Sequence, residues 1–382
     1  MRAQVKLVSS LTRSGSSRGQ SDSIVNAIRL RLDDAGYRVG SMLVVYDDLD
    51  GGSEERGSWD AEREIANARS AAADPDVVAY IATLDTDAAP YSIPITNQAG
   101  PLLQISPCNS YPGLTRPFGP GEPEIHYPTG LRSYARTAMS DDRQGLFAAQ
   151  WALELGAKRV AVLHDGEPCG RGVAEPFGRS CIALGLELVE LPVAIVPKQW
   201  EYRDVAARIA QHEPDLVFYG GIIQNGAGPL WRDIRTALPE VTMMGADTLF
   251  EHAFIEEAAE QAEGTLITFG GVPPALLEGP GRAFFDRYVE TYGREPECYA
   301  ASAYDAVGVV LAAVEQVGTK DRAAITHAAL ATRDFDGLLG SWSFDSNGDI
   351  DLRRATRLTV RDGDFSYLEV GEVEESPAIT QA

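Results

Sequence analysis

The feature that most constrains the fold is an alternation of strand-like and helix-like segments, which occurs in two series. In the first series the apolar runs are residues 5–11, 42–46, 77–82 and 102–106, and residues 61–73 form one of the helical patterns between them. In the second series the runs are residues 159–165, 186–193, 215–221, 241–247 and 264–271. Strands that alternate with helices are typical of βαβ units, so each series predicts a parallel sheet.

The two series are separated by RPFGPGEPEIHYPT, residues 116–129, whose prolines and glycines indicate a loop. A chain of 382 residues exceeds what one hydrophobic core usually serves. We therefore predict an α/β protein with two sheets, hence two lobes and a cleft. Near the end of the chain, two strand-like runs around Asp362-Gly363 predict a hairpin.

Charge and composition exclude several classes of protein. A formal net charge of -23 argues against binding to nucleic acid or to an anionic membrane, because both need basic patches. The four cysteines form no CxxC pair, so their spacing fits no zinc site. The N-terminus has no apolar signal segment, and no stretch approaches the roughly 20 apolar residues of a membrane span. The protein is either cytoplasmic or made with an export signal that is missing here.

The sequence offers no catalytic, metal or cofactor constellation. There is no Walker A sequence, no GxGxxG, no GxSxG and no HExxH, and the five histidines are scattered. DSNGDID, residues 345–351, resembles the start of a calcium loop, but position twelve of that loop would be Thr356 rather than Glu. We therefore interpret it as a plain turn and predict a protein that is not an enzyme and has no metal or cofactor.

One strand ends in an unusual cluster. In LLQISPCNSYPGLT, residues 102–115, an apolar run passes into Ser106-Pro107 and then into Cys108-Asn109-Ser110. This is either an ordinary loop or a ligand site, because open α/β sheets bind ligands just beyond the C-terminal ends of their strands.

Several stretches together resemble a known family. They are TLDTDAA (83–89), IPITNQAG (93–100), ISPCNSYPGLT (105–115), YGG (219–221), MGAD (244–247), EGTL (263–266) and GSWSFD with NGD (340–349). In this order they resemble the leucine/isoleucine/valine-binding proteins, which are solute receptors of bacterial ABC importers. The resemblance extends over residues 5–368 and is strongest to receptors of high-GC Gram-positive bacteria.

The resemblance implies a type I periplasmic-binding-protein fold, in which two Rossmann-like lobes are joined by three hinge crossings and close on a ligand. The crossings are expected near Arg136, Phe269 and Ser341. Lobe 1 would then comprise residues 1–136 and 270–341, and lobe 2 would comprise residues 137–269 and 342–382.

The resemblance also implies a clamp for the backbone of an amino acid. Thr86 stands where the family's hydroxyl and backbone N–H hold the ligand carboxylate. Ser110 stands where a second hydroxyl serves both ends of the ligand, and the Cys108 carbonyl where the ammonium is accepted. Asp247 stands where an acidic residue pairs with the ammonium. Asn109 belongs to the same polar cluster, so the cluster is expected to be half of the clamp.

Other candidate positions depart from the family pattern. Ile222 and Cys169 replace aromatic residues, whereas Tyr299 stands where a pocket aromatic is expected. Arg18, in the loop of residues 15–18 after the first strand, replaces an aromatic residue of leucine receptors, and Asp85 replaces a neutral one. Arg18 and Asp85 could pair structurally, or either could bind a polar ligand side chain. We therefore expect an α-amino acid or small zwitterion, not specifically a branched aliphatic one.

The sequence is compatible with two functions. The first is an extracytoplasmic receptor that passes its small-molecule ligand to the membrane subunits of an ABC importer, and the family resemblance favours it. The second is a ligand-sensing regulator of the same fold, which the missing signal segment favours.

Overall fold

The computed structural model describes residues 4–15 and 17–374, so Ser16 of the predicted loop of residues 15–18 lies outside the described residues. The α-helices are α1 (Arg18–Asp34), α2 (Ala61–Ala73), α3 (Ala89–Gln98), α4 (Asp141–Glu154), α5 (Pro168–Ala183), α6 (Arg203–Ala210), α7 (Ala227–Ala237), α8 (His252–Ala258), α9 (Pro280–Tyr292), α10 (Ala300–Val317) and α11 (Arg322–Leu330). The strands are β1 (Gln4–Leu11), β2 (Arg38–Val39), β3 (Met42–Asp50), β4 (Gly52–Ser53), β5 (Ser58–Trp59), β6 (Val77–Ala82), β7 (Leu103–Ser106), β8 (Tyr134–Arg136), β9 (Arg159–His164), β10 (Glu187–Leu188), β11 (Val193–Ala194), β12 (Leu216–Gly220), β13 (Thr242–Gly245), β14 (Leu266–Phe269), β15 (Phe335–Gly337), β16 (Gly340–Trp342), β17 (Arg354–Arg361) and β18 (Asp364–Glu372).

The chain divides into two compact units. Unit 1 comprises the described residues up to Met139 together with residues 272–352, and unit 2 comprises residues 140–271 together with the described residues from Arg353 onwards. Each unit contains a largely parallel sheet with helices between its strands, so the predicted α/β fold is confirmed.

The sheet of unit 1 has six strands in the order β2-β3-β1-β6-β7-β8. Strands β3, β1, β6, β7 and β8 are all parallel, and only β2 runs antiparallel, against β3. Strand β6 is buried along its whole length, as its continuous apolar sequence VVAYIA predicts for a central parallel strand.

Helix α10 is long and apolar enough to span a membrane by length and composition alone, but 72% of it is buried within the protein. It packs against α1 and α11, so it forms part of the core of unit 1. An all-round apolar helix is typical of the interior of a large soluble domain as well as of a membrane span.

The sheet of unit 2 has eight strands, in the order β10-β9-β12-β13-β14-β17-β18, with β11 also paired to β9. The run of residues 186–193 forms two short strands, β10 and β11, rather than one. Pro192 lies in this run, and a proline cannot donate to a strand ladder. The predicted terminal hairpin is confirmed, since β17 and β18 pair antiparallel around Asp362 and Gly363, which both have positive φ angles.

Residues 342–352 belong to unit 1, whereas the sequence placed them in lobe 2. Two buried contacts explain this. Trp342 Nε1 donates a hydrogen bond to Asp305 at 3.2 Å, and Arg136 Nε forms an ion pair with Asp349 at 2.7 Å. The third boundary between the units therefore falls after Leu352 and not near Ser341.

Candidate functional site

The C-terminal ends of the parallel strands of unit 1 bring four polar segments to one edge of its sheet. Thr12 follows β1, residues 83–86 follow β6, residues 107–110 follow β7 and Thr137 follows β8. This edge is where parallel α/β sheets bind their ligands. The cluster that ends the run of residues 102–106 therefore lies beside the segment that contains Thr86.

Asn109 joins these two segments. Its Nδ2 donates hydrogen bonds to the carbonyls of Thr83 at 2.9 Å and Leu84 at 3.1 Å, and its Oδ1 accepts from Tyr134 Oη at 3.1 Å. Both hydrogens of its amide are used inside the protein, and the side chain is fully buried. Asn109 thus positions the segments that carry the candidate ligand groups. The sequence grouped it with those groups and missed its partner Tyr134.

Thr86, Cys108 and Ser110 are brought together as the sequence predicts. The backbone N–H of Ser110 donates to Thr86 Oγ1 at 3.2 Å. The Cys108 thiol donates to the carbonyl of Thr83 at 3.2 Å, and its backbone N–H donates to Ser106 Oγ at 3.2 Å. These contacts place two hydroxyls and the Cys108 backbone within one small group.

Asp85 and Arg18 do not pair, so the structural pairing that the sequence left open as one alternative is not formed. Asp85 accepts a hydrogen bond from Thr12 Oγ1, and burial raises the pKa of its carboxyl. Arg18 is the first residue of α1 rather than a loop residue, and its side chain is 71% exposed. Its Nε lies 3.7 Å from Asp22, four residues ahead on the same helical face.

Tyr299 precedes α10 and is partly buried. Thr137 Oγ1 donates to the carbonyl of Ser302 at 3.0 Å, which holds the first turn of α10 against the end of β8. Tyr299 therefore lies close to the same edge of the unit 1 sheet.

Asp165 organises the corresponding edge of the unit 2 sheet. It follows β9, is 2% exposed, and accepts hydrogen bonds from Ile222 N at 3.0 Å and Asn225 Nδ2 at 2.8 Å. A third bond comes from Glu167 N at 3.1 Å. Burial raises the pKa of its carboxyl. Sequence reasoning missed this residue, although its position at the end of an apolar parallel strand was a usable signal.

Cys169 lies in the first turn of α5, directly before a glycine that the packing requires. A Cβ at Gly170 would lie 2.2 Å from Asp165 Oδ1 and 2.8 Å from the carbonyl of Gly220. Only glycine therefore allows α5 to begin this close to β12. Ile222, through its N–H, and the Cys169–Gly170 segment thus both lie beside Asp165.

Asp247 lies two residues after the end of β13 and is buried. Gln144 Nε2, from the first turn of α4, donates to Asp247 Oδ1 at 3.0 Å. The next residue, Thr248, donates from Oγ1 to the carbonyl of Gly221 at 2.8 Å. This bond ties the Asp247 segment to the Ile222 segment, and sequence reasoning gave no indication of Gln144.

Each unit therefore carries one group of candidate residues at its sheet edge. Unit 1 presents hydroxyls, backbone groups and the protonatable Asp85, whereas unit 2 presents Asp247 beside Ile222 and Cys169. Among residues 4–15 and 17–374, no cluster of three or more His, Cys, Asp or Glu side chains could hold a metal ion.

The family described as periplasmic binding protein matches residues 4–362, which is nearly the whole chain. The chain belongs to this family. The predicted resemblance to leucine/isoleucine/valine-binding proteins is confirmed by a relative from Brucella suis, Leu/Ile/Val-binding protein homolog 1, which is 26% identical over 272 residues. That alignment covers 70% of this chain and 69% of the relative.

Solved structures of this family share the fold. The leucine-binding protein LivK of Thermotoga maritima matches with a TM-score of 0.83 at 23% identity, over 96% of this chain and 98% of LivK. The branched-chain amino acid transporter substrate-binding protein LivJ of Streptococcus pneumoniae, solved in complex with isoleucine, matches with a TM-score of 0.79 at 20% identity. That match covers 97% of this chain and 99% of LivJ.

Proposed function

We propose that this protein is an extracytoplasmic receptor of an ABC importer that binds an amino acid or a similar small zwitterion. The ligand is held jointly by the two groups of residues at the sheet edges, and the two lobes close on it by a hinge motion. The proposal rests on one observation. This member of the family carries the hydroxyl groups of Thr86 and Ser110 at the sheet edge of unit 1 and the buried carboxylate of Asp247 at the sheet edge of unit 2.

The unit 1 group suits the carboxylate end of such a ligand. Thr86 and Ser110 provide hydroxyl donors, and the hydrogen bond from the Ser110 N–H to Thr86 Oγ1 keeps their segments together. Neutral donors can satisfy a buried carboxylate, which costs several kcal/mol if it is left without partners. The Cys108 carbonyl is an acceptor, so it suits the ammonium end.

The unit 2 group suits the ammonium. Asp247 is buried, and a charged partner that is enclosed with it gains more from the Coulomb interaction than it would in water. Ile222 and Cys169 are apolar or weakly polar neighbours that would line the space for the ligand side chain, together with Tyr299 from unit 1.

The partners follow from the family. A receptor of this kind passes its ligand to the membrane subunits of an importer and acts outside the cytoplasm. Neither the net charge of -23 nor the site chemistry favours a nucleic acid. We assign the protein a binding role and not a catalytic one.

A thermal-shift screen tests the proposal. The twenty L-amino acids, small amides and aromatic carboxylic acids are added singly at millimolar concentration, and a ligand that binds only the folded state raises Tm. We expect at least one amino acid or zwitterion to raise Tm, with a dissociation constant that calorimetry then measures. A response confined to aromatic acids without an amino group, or no response to any amino acid, would contradict the proposed ligand class.

Importer function needs a test in cells. A strain that lacks the gene should lose uptake of the radiolabelled ligand identified in the screen, and the gene carrying Asp247→Ala should not restore it. Normal uptake together with a change in gene expression would instead indicate a sensor of the same fold.

A further inference from the structure

A single buried amide links Asp247 to the neighbouring strand of the unit 2 sheet. Gln144 is 1% exposed, and its Nε2 donates to Asp247 Oδ1 at 3.0 Å and to the carbonyl of Thr268, in β14, at 2.8 Å. Thr268 Oγ1 lies further away, at 3.4 Å. An amide nitrogen carries two hydrogens, so the two shorter contacts use both.

These two bonds restrict the orientation of the carboxylate. Asp247 begins a short 3₁₀ turn after β13. Gln144 comes from a third element, α4, and its backbone N–H is fixed by Ser140 O at 3.2 Å. The Gln144 side chain thus links the Asp247 carboxylate to the backbone of β14. Gln144 is itself fixed by its backbone hydrogen bond in α4 and by the two hydrogen bonds of its amide.

The chemical type of this donor matters. A lysine or arginine at position 144 would pair with Asp247 and neutralise its charge, whereas an amide donates without a formal charge. Gln144 therefore orients the carboxylate without itself neutralising the charge. If Gln144 only tied α4 to β14, its hydrogen bond to the Thr268 carbonyl would be enough, and the second hydrogen bond to Asp247 would not be needed.

We propose that Gln144 is a positioning residue for ligand binding, which holds Asp247 in the orientation that accepts the ligand ammonium and so contributes to selection for an α-amino group. This inference rests on the proposed function, in which Asp247 binds that ammonium. Gln144 itself acts through Asp247.

The test compares binding of an amino acid with binding of the same molecule without its amino group. The probes are the proteinogenic amino acid that gives the largest Tm shift among the twenty and its deaminated carboxylic acid. Gln144→Met should weaken the amino acid about tenfold, the lower end of the range for a hydrogen bond to a charged group. Binding of the deaminated acid should change less than about twofold, within the spread of context effects.

A matched control is available in unit 1. Gln104 is also fully buried, donates from Nε2 to Ser92 Oγ at 2.9 Å and accepts from Thr96 Oγ1 at 2.9 Å. Gln104→Met removes a buried amide of the same size but should leave the ratio of the two affinities unchanged. In an Asp247→Asn background, Gln144→Met should have no further effect on amino acid affinity, because the group through which it acts is gone.

Gln144→Lys covers the case in which Gln144→Met does not fold. It keeps a donor to Asp247 but adds a competing cation, so it should also weaken the amino acid more than the deaminated acid. Equal losses for both probes, or wild-type affinity in Gln144→Lys, would overturn the inference while the proposed function stands. If no amino acid binds, the proposed function fails and the inference fails with it. If an amino acid binds but Asp247→Asn leaves its affinity unchanged, the inference fails together with the role of Asp247, while amino acid binding stands.

Discussion

The two units use the same structural position, the C-terminal edge of a parallel sheet, for different chemistry. At the edge of unit 1, Thr86 and Ser110 are neutral, and the side chain that joins their segments is the amide of Asn109. At the edge of unit 2, the central groups are the carboxylates of Asp165 and Asp247, which receive hydrogen bonds from amides and backbone N–H groups. Under the proposed function, the edge of unit 1 would bind the carboxylate of a zwitterion and the edge of unit 2 its ammonium.

Unit 1 also contains a fully buried ion pair. Unit 1 pairs the buried Asp349 with Arg136, and the ion pair joins two distant parts of the chain. The buried carboxylates of Asp85 in unit 1 and Asp165 in unit 2 instead have neutral partners, and burial raises the pKa of each. We infer that the buried ion pair of unit 1 serves stability, whereas the carboxylate of Asp247 in unit 2 serves ligand binding.

The largest expected effect is on the stability of unit 1. Arg136 is fully buried and bonds to Asp349 Oδ1 at 2.7 Å, to Tyr111 O at 2.7 Å and to Thr115 Oγ1 at 2.6 Å. Arg136→Met should lower the free energy of unfolding by about 3–5 kcal/mol, because it removes three buried hydrogen bonds from a charged donor and one of the two cations of a buried carboxylate. Arg116, whose Nε lies 2.7 Å from Asp349 Oδ2, remains as the second cation. Urea unfolding at pH 7 measures the loss of stability. If Arg136→Met lost ligand binding but unfolded with the wild-type free energy, the ion pair would serve binding, and the assignment of a stabilising role to it would be wrong.

Asp247→Ala should have the second largest effect, and on affinity rather than on stability. We expect a loss of about 2–5 kcal/mol in binding free energy, as for truncation of one partner in a buried charge pair. Calorimetry with the amino acid found in the screen measures it. Asp204→Ala, an exposed aspartate of α6 in the same unit, is the control and should bind normally. If Asp247→Ala bound the amino acid as tightly as the wild type does, Asp247 would not bind the ligand ammonium.

Glu64 tests whether a buried carboxyl group of unit 1 is protonated in the folded protein. It is buried, accepts hydrogen bonds from Ser10 Oγ at 2.6 Å and Tyr80 Oη at 2.9 Å, and burial raises its pKa to about 7. Its folded pKa lies above the unfolded value of about 4.3, so the folded state binds the extra proton between these pH values. The unfolding free energy should therefore fall by about 3 kcal/mol as pH rises from about 4 to about 7.

Glu64→Gln should flatten this part of the stability profile, because glutamine resembles the protonated acid. Glu62→Gln, an exposed position of the same helix, should leave the profile as it is. Denaturant unfolding at several pH values gives both profiles. If the unfolding free energy depended on pH in the same way in the wild type and in Glu64→Gln, Glu64 would be ionised in the folded protein. The buried interior of unit 1 would then carry a negative charge at this position.

Thr86→Val should have a smaller effect than Asp247→Ala. It removes one neutral hydroxyl and the acceptor of the Ser110 N–H, so we expect a loss of about 0.5–1.5 kcal/mol in binding free energy. Thr86→Ser keeps the hydroxyl and should bind nearly as the wild type does. If calorimetry gave a greater loss for Thr86→Val than for Asp247→Ala, the roles of the two edges would have to be exchanged.

Arg18→Met should have the smallest effect. The side chain is exposed and its contact with Asp22 is a surface pair, which typically contributes about 0–1 kcal/mol. Affinity and Tm should both stay close to the wild-type values. A tenfold loss of affinity at constant Tm would show instead that Arg18 reaches the ligand.

The sequence by itself determined the local elements and the class of fold. The Ala-rich run of residues 61–73 forms α2, the apolar run of residues 77–82 forms β6, and Asp362-Gly363 forms the turn of the terminal hairpin. These outcomes depend on helix propensity, on burial and on turn conformation, which act over a few neighbouring residues. The placement of Thr86 and Ser110 at one edge also followed, because parallel strands end at a common edge.

Only the tertiary structure decided which side chains meet across the chain. Gln144 bonds to Asp247, 103 residues away, and Arg136 bonds to Asp349, 213 residues away. Arg18 pairs with the next turn of its own helix and not with Asp85, because α1 begins at that residue. Such contacts depend on strand order, strand register and the exact residue at which a helix begins. Local propensities fix none of these, since each results from packing the whole unit.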